Sequence, residues 1–103
     1  MEGQTNMDKI YIEFDEDKLK KYNISLCNAK EYLDKLFAKM NMERDMEGWY
    51  TNGCFESIGA ITRVLIENKW FIDSINKWWW YQDDIGAVED LGSLYKNRIP
   101  RYV

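Results

Sequence analysis

The stretch Trp70-Phe71-Ile72-Asp73-Ser74-Ile75-Asn76-Lys77-Trp78-Trp79-Trp80-Tyr81 decides how this chain is read, because no single helix can bury all of its rings on one side. A break near Asn68 and the pattern that follows predict a helix over residues 69–81. At about 100° per residue, Ile72, Ile75, Trp78, Trp79 and Gln82 share one sector, centred near Ile75, that suffices as a core face. Trp70, Lys77 and Tyr81 fall well outside it, and Asp73, Trp80 and Asp84 continue the same outer surface. Trp78 and Trp79 are therefore expected to point inward, and Trp70, Trp80 and Tyr81 outward.

The outward set admits three readings. The N-terminal strand or the C-terminal tail covers it, giving a helix between two layers. Alternatively Trp70, Trp80 and Tyr81, ringed by Asp73, Lys77 and Asp84, form a partner-binding patch, for which Trp and Tyr combine apolar area with a polar handle. In the third reading the same surface closes on a second copy of the chain.

Upstream, Ile10, Ile12 and Phe14 alternate with Tyr11 and Glu13 in the period of a half-buried strand, which needs a partner. Asp15, Glu16 and Asp17 end it and open a short helical turn through Leu19 to Tyr22. Ser25 is a good N-cap for an amphipathic helix over 26–41, carrying Leu26, Ala29, Leu33, Leu36, Phe37 and Met40 on one side. Gly48-Trp49-Tyr50-Thr51-Asn52-Gly53 places two aromatics between turn residues. If this segment pairs with the Ile10 strand the fold is α+β, and if it does not the fold is an all-α bundle. From Phe55 a helix returns with Ile58, Ile61, Thr62 and Leu65 on one side, and Gly59 is expected to let another backbone approach. After Gly86, a short helix near Val88 to Tyr95 precedes the tail Lys96 to Val103.

The expected architecture is a helix-dominated α+β single domain over residues 8–103, with a short N-terminal strand on three to four helices and, in the paired alternative, a second strand near 47–51; the other alternative is the all-α bundle. Residues 1–7 form a flexible tail. At 103 residues, 46% hydrophobic and 16% aromatic, the chain can bury one core without disulfides. A mean hydropathy of -0.59 and the absence of a run of about 18 apolar residues argue against a membrane span. The N-terminal residues show neither a basic region nor an apolar stretch, so the cytoplasm is the expected compartment.

The chain contains no histidine, which removes the usual general base near neutral pH and the commonest transition-metal ligand. Cys27 and Cys54 form no CxxC pair and are expected to be reduced, small and buried. Gly48 to Gly53 has the glycine spacing of a phosphate loop, but Cys54-Phe55 stands where Lys and Ser/Thr should follow. Asp15-Glu16-Asp17 opens like a calcium loop, yet Leu19 takes a ligand position and Lys20 the glycine position. Acid pairs such as Asp83 with Asp84 or Glu89 with Asp90 lack a spacing that would fix catalytic carboxylates. No catalytic residue, metal or cofactor is expected.

A net charge of -4 and a pI near 4.8 disfavour direct binding to a phosphate backbone and favour a protein partner, for which a basic surface is complementary. Lys96, Arg98 and Arg101, interleaved with Tyr95 and Tyr102, offer only weak nucleic-acid contact. The function expected from these features is non-catalytic protein binding, in the manner of a compact acidic inhibitor or antagonist of the immunity or anti-defence kind. The alternatives are a homo-oligomeric structural or regulatory protein and weak nucleic-acid binding through the tail.

Overall fold

A computed structural model describes residues 7–98. In chain order the elements are β1 (Asp8–Phe14), α1 (Glu16–Lys20), α2 (Leu26–Ala38), β2 (Glu43–Arg44), β3 (Trp49–Gly53), α3 (Phe55–Ile66), α4 (Lys69–Ser74), β4 (Ile75–Gln82), β5 (Ala87–Asp90) and α5 (Leu91–Arg98). The five strands form one sheet in the order β2-β3-β1-β4-β5, and every pairing is antiparallel. The fold is α+β. Residues 1–6 of the expected tail, and Arg101 and Tyr102 of the basic tail, lie outside the described residues.

β1 is the central strand, and its alternation turns Ile10, Ile12 and Phe14 toward the core. It takes β3 on one side, with Ile10 opposite Tyr50 and Tyr11 opposite Trp49, and β4 on the other. Of the two alternatives left open by the sequence, pairing of the Ile10 strand with the Trp49–Tyr50 segment is the one present. Ile10, Phe14, Tyr50, Ile75 and Trp78 join Ala29, Leu33 and Phe37 of α2, Ile58, Ile61 and Leu65 of α3, Phe71 and Ile72 of α4 and Leu91 of α5 in one buried cluster. Ile12 and Trp80 pack on its border.

The helix predicted over 69–81 is corrected. Only Lys69–Ser74 is helical; at Ile75 the backbone turns to φ -78°, ψ 143° and the chain passes directly into the eight-residue strand β4. Two forces favour the strand. Ile and the run Trp78 to Tyr81 are residue types that fit a pleated sheet, and β1 would otherwise keep an open edge against the core. The backbone carbonyl of Ser74 accepts from the Asp15 amide at 2.8 Å, which pins the helix-to-strand junction to the end of β1.

Two irregularities let the sheet keep its large residues inside. On β4, Lys77 lies opposite Glu13 but Ile75 lies opposite Phe14, so the extra residue Asn76 allows both Ile75 and Trp78 to face the core despite their odd spacing. β3 repeats the device: Tyr50 and Gly53 are both buried, with Asn52 at φ 67° between them.

The remaining helices follow their local signals closely. Ser25 caps α2 by accepting the Asn28 amide at 3.0 Å, and the helix ends at Ala38 before Asn41 turns left-handed. Asn68 occupies the N-cap position of α4, at the break expected there. Gly59 departs from expectation: a side chain added there would meet nothing within 4 Å, so among the described residues no backbone approaches it. The expected helix near Val88 begins as β5 and becomes helical only at Leu91. No helix among the described residues is long and apolar enough to cross a membrane.

Candidate docking surface

Strand alternation places Lys9, Tyr11 and Glu13 on the face of the sheet opposite the helices, together with Trp49 from β3, Lys77, Trp79 and Tyr81 from β4 and Val88 and Asp90 from β5. Tyr11 sits between its two cross-strand neighbours, with its ring centroid 5.4 Å from that of Trp49 and 5.4 Å from that of Trp79. The two indoles also approach each other, at 6.4 Å, so the three rings form a compact triangle rather than a flat row. None of the three belongs to the core cluster or to the hydrophobic residues packed against it.

Charge surrounds the triangle. The Lys77 ammonium lies 5.1 Å from the Trp79 ring centroid, within cation–π range, and 3.9 Å from Glu13. Glu13 in turn accepts from Asn76 at 2.8 Å and from the Tyr11 hydroxyl at 3.4 Å. Partial burial, reinforced by the Glu13 charge, pushes the Tyr11 phenol up from its usual pKa, so it stays a neutral donor. Gly48 at φ +99° brings the turn before β3 against the Tyr11 ring, where an added side chain would meet ring carbon at 3.3 Å. The Asp45 carboxylate fixes the same turn by accepting the Glu47 and Trp49 amides at 2.9 Å. Beside the triangle, Met7, Lys9, Trp49, Tyr81, Asp83 and Val88 line a concavity of about 280 Å³.

The six residues expected to form a partner-binding face do not share one surface. Lys77 and Tyr81 lie on the open face of the sheet. Trp80 lies on the opposite, helical side, where its indole donates to Asp8 at 3.1 Å and its ring rests 5.4 Å from that of Phe55. Trp70 and Asp73 belong to α4. Trp70 stacks on Phe14 and meets Tyr32 edge-on, while Asp73 accepts from Tyr22 and pairs with Lys69 at 3.2 Å. Asp84 is exposed in the turn between β4 and β5. The helical projection exchanged Trp79 and Trp80, because a strand reverses the side at every residue. Tyr11, Trp49 and Trp79 were not among the expected set. The signal was available in the alternation of β1, which puts Tyr11 on the side that Ile10 and Ile12 leave.

Another polar cluster ties helix to sheet. Arg44 grips Asp34 through two hydrogen bonds, at 3.0 and 2.9 Å, and the Tyr50 hydroxyl donates to the same carboxylate at 2.5 Å, tying α2 to β2 and β3. Hydrogen bonding from Arg44 holds the Asp34 carboxyl below its ordinary pKa, whereas burial raises the Tyr50 phenol far above its own. Neither cysteine is a buried hydrophobe as expected: Cys27 is free and exposed, and Cys54 is free, half-buried and caps α3 by accepting the Ser57 amide at 3.4 Å. Hydrogen bonds from Ser57 lower the Cys54 thiol pKa. Among the described residues no group of three or more acidic or thiol side chains is arranged to hold a metal ion.

No protein-family model matches the chain, no curated protein matches its sequence, and no solved structure matches its fold.

Proposed function

We propose that this protein is a non-catalytic binding module of the cytoplasm that docks on a protein partner through the open face of its sheet, as a compact inhibitor or antagonist. The observation that carries this reading is the triangle of Trp49, Tyr11 and Trp79 on the side that carries no helix among the described residues. Cross-strand aromatic pairs stabilise a sheet by only about 0.2–1 kcal/mol each, and a solvent-facing Thr or Lys would serve the strand as well. Two indoles with a tyrosine, rimmed by Lys77, Glu13 and Lys9, are the composition of an interface anchor with a polar border.

The charge favours protein over nucleic acid. The molecule is net acidic, and Lys96, one of three cations of the basic tail, donates to the Ile75 carbonyl at 2.8 Å. A strand with large apolar residues on both faces also suits a second copy stacked face to face, the homodimer reading.

The test uses the full chain as bait, beside Trp49→Ser/Trp79→Ser and a control carrying Lys35→Glu on the exposed side of α2. A protein retained by the wild type and the control but lost from the double variant, with unchanged circular dichroism, supports the reading. Equal retention by all three contradicts it. A wild-type dimer in light scattering that the double variant converts to monomer replaces the foreign partner with a second copy.

A further inference from the structure

We propose that the outer edge of β5 is a second docking element, which takes an extended basic segment of a protein partner as a sixth strand of the sheet. β5 is the last strand in the order and pairs with β4 alone, so its far edge presents backbone amides and carbonyls that no described residue meets. All four of its residues are exposed, and the adjoining Ile85 and Val88 are 66% and 53% exposed. The opposite end of the sheet is closed to such pairing, because β2 is only two residues long and its Arg44 is held by Asp34.

Charge selects the occupant. Asp83 and Asp84 stand in the turn that feeds β5, and Glu89 and Asp90 lie along it; among the described residues none of the four has an ion pair. Their side-chain partners are neutral: Ser93 on both Asp90 oxygens at 3.1 and 2.9 Å, Gln82 on Glu89 at 3.0 Å and the Tyr81 hydroxyl on Asp83 at 3.4 Å. Register with β4 sets Val88 and Asp90 on the open face beside Tyr81 and Trp79, and Ala87 and Glu89 on the helical side beside Gln82 and Trp80. Carboxylates therefore flank the edge on both faces. Pairing β5 with β5 of a second copy would set the same four acids against each other, so the edge repels its own kind and suits Lys or Arg. Its length is also bounded. Four residues span roughly 13 Å at about 3.3 Å per residue. Beyond them α5 begins at Leu91 and packs on the Trp78 backbone through Gly92, ending the accessible edge.

The proposal rests on the reading that the ligand is a protein, but not on the aromatic triangle. The probe is a blocked eight-residue peptide alternating Lys and Val, titrated into the full chain and followed by fluorescence anisotropy and amide exchange. Saturable binding is expected, weakened about tenfold or more by moderate salt and by Glu89→Lys, with slowed exchange at residues 87–90. Methylating alternate peptide nitrogens in one phase is expected to abolish binding, and in the other phase to leave it, because only one set of amides faces β5. The Trp49→Ser/Trp79→Ser variant is expected to bind the peptide like the wild type. Absence of saturable binding at low salt, equal effects of the two methylation phases, or equal binding of a Glu-Val peptide would overturn the proposal. Any of these results beside an intact wild-type capture that the double variant loses removes the edge and leaves the face standing.

Discussion

Trp78, Trp79 and Trp80 are consecutive, yet each meets a different environment. Trp78 is 1% exposed between Phe71 and Tyr95, Trp80 is half-buried on the helical side against Phe55, and Trp79 is half-buried on the open face against Tyr11 and Trp49. Trp78→Ala is expected to destabilise by about 3–5 kcal/mol, and Trp79→Ala by about 1 kcal/mol or less, with Trp80→Ala between them. Urea unfolding of the three variants checks the order, and equal losses at Trp78 and Trp79 would restore the helical projection. At Asp34 the relevant variable is pH. Its carboxyl pKa is depressed in the folded state, so the contribution of the Arg44 contact is full above the unfolded value of about 3.9 and is lost as pH falls through the folded value. The wild-type urea midpoint should therefore fall on acidification below about pH 4, and Asp34→Asn should flatten part of that fall. The partly exposed setting of the pair keeps the effect modest.

At the scale of elements, two glycines separate structural need from tolerance. A side chain at Gly53 would stand 2.9 Å from the Asp8 carbonyl oxygen and 2.7 Å from Ile58, and the carbonyl belongs to the β1 backbone. Gly53→Ala is expected to lower stability by about 1–3 kcal/mol. Gly59 lies within α3 beside open space, so Gly59→Ala should raise stability by about 0.5–1 kcal/mol. Thermal melts of the pair, moving in opposite directions, check both. The elements also show what was readable in the chain. α2, α3 and β1 carry clean single-face periodicities, and their buried residues are those the spacing selects. β4 does not, because it is apolar on both faces and the bulge at Asn76 breaks its alternation, so a period of two is masked and a helical arc fits equally well. β5 is short and polar, and only its partner β4 identifies it as a strand. The candidate site is masked in the same way: Lys77 and Tyr81 lie on the expected surface and the β1 alternation marks Tyr11, but a helical arc turns Trp79 inward and only the sheet register places Trp49 beside it.

At the scale of the whole molecule, the described helices cover one side of the sheet, and the side they leave carries aromatic residues where an open antiparallel sheet normally carries polar ones. That asymmetry places the aromatic face and the acidic β5 edge next to each other, with β5 standing between a partner strand and the Trp79 and Tyr81 rings of β4. Trp49→Ser/Trp79→Ser should keep the fold while removing partner capture, because its rings lie outside the core. The most direct measurement of the division on which this depends is the set of nuclear Overhauser contacts of the Trp79 ring. Contacts from Trp79 to Tyr11 and Trp49, with Trp80 touching Phe55, are the result expected. Helical amide-to-amide contacts running through residues 75–82, with the Trp79 ring instead against Ile75 and Ile72, would contradict it.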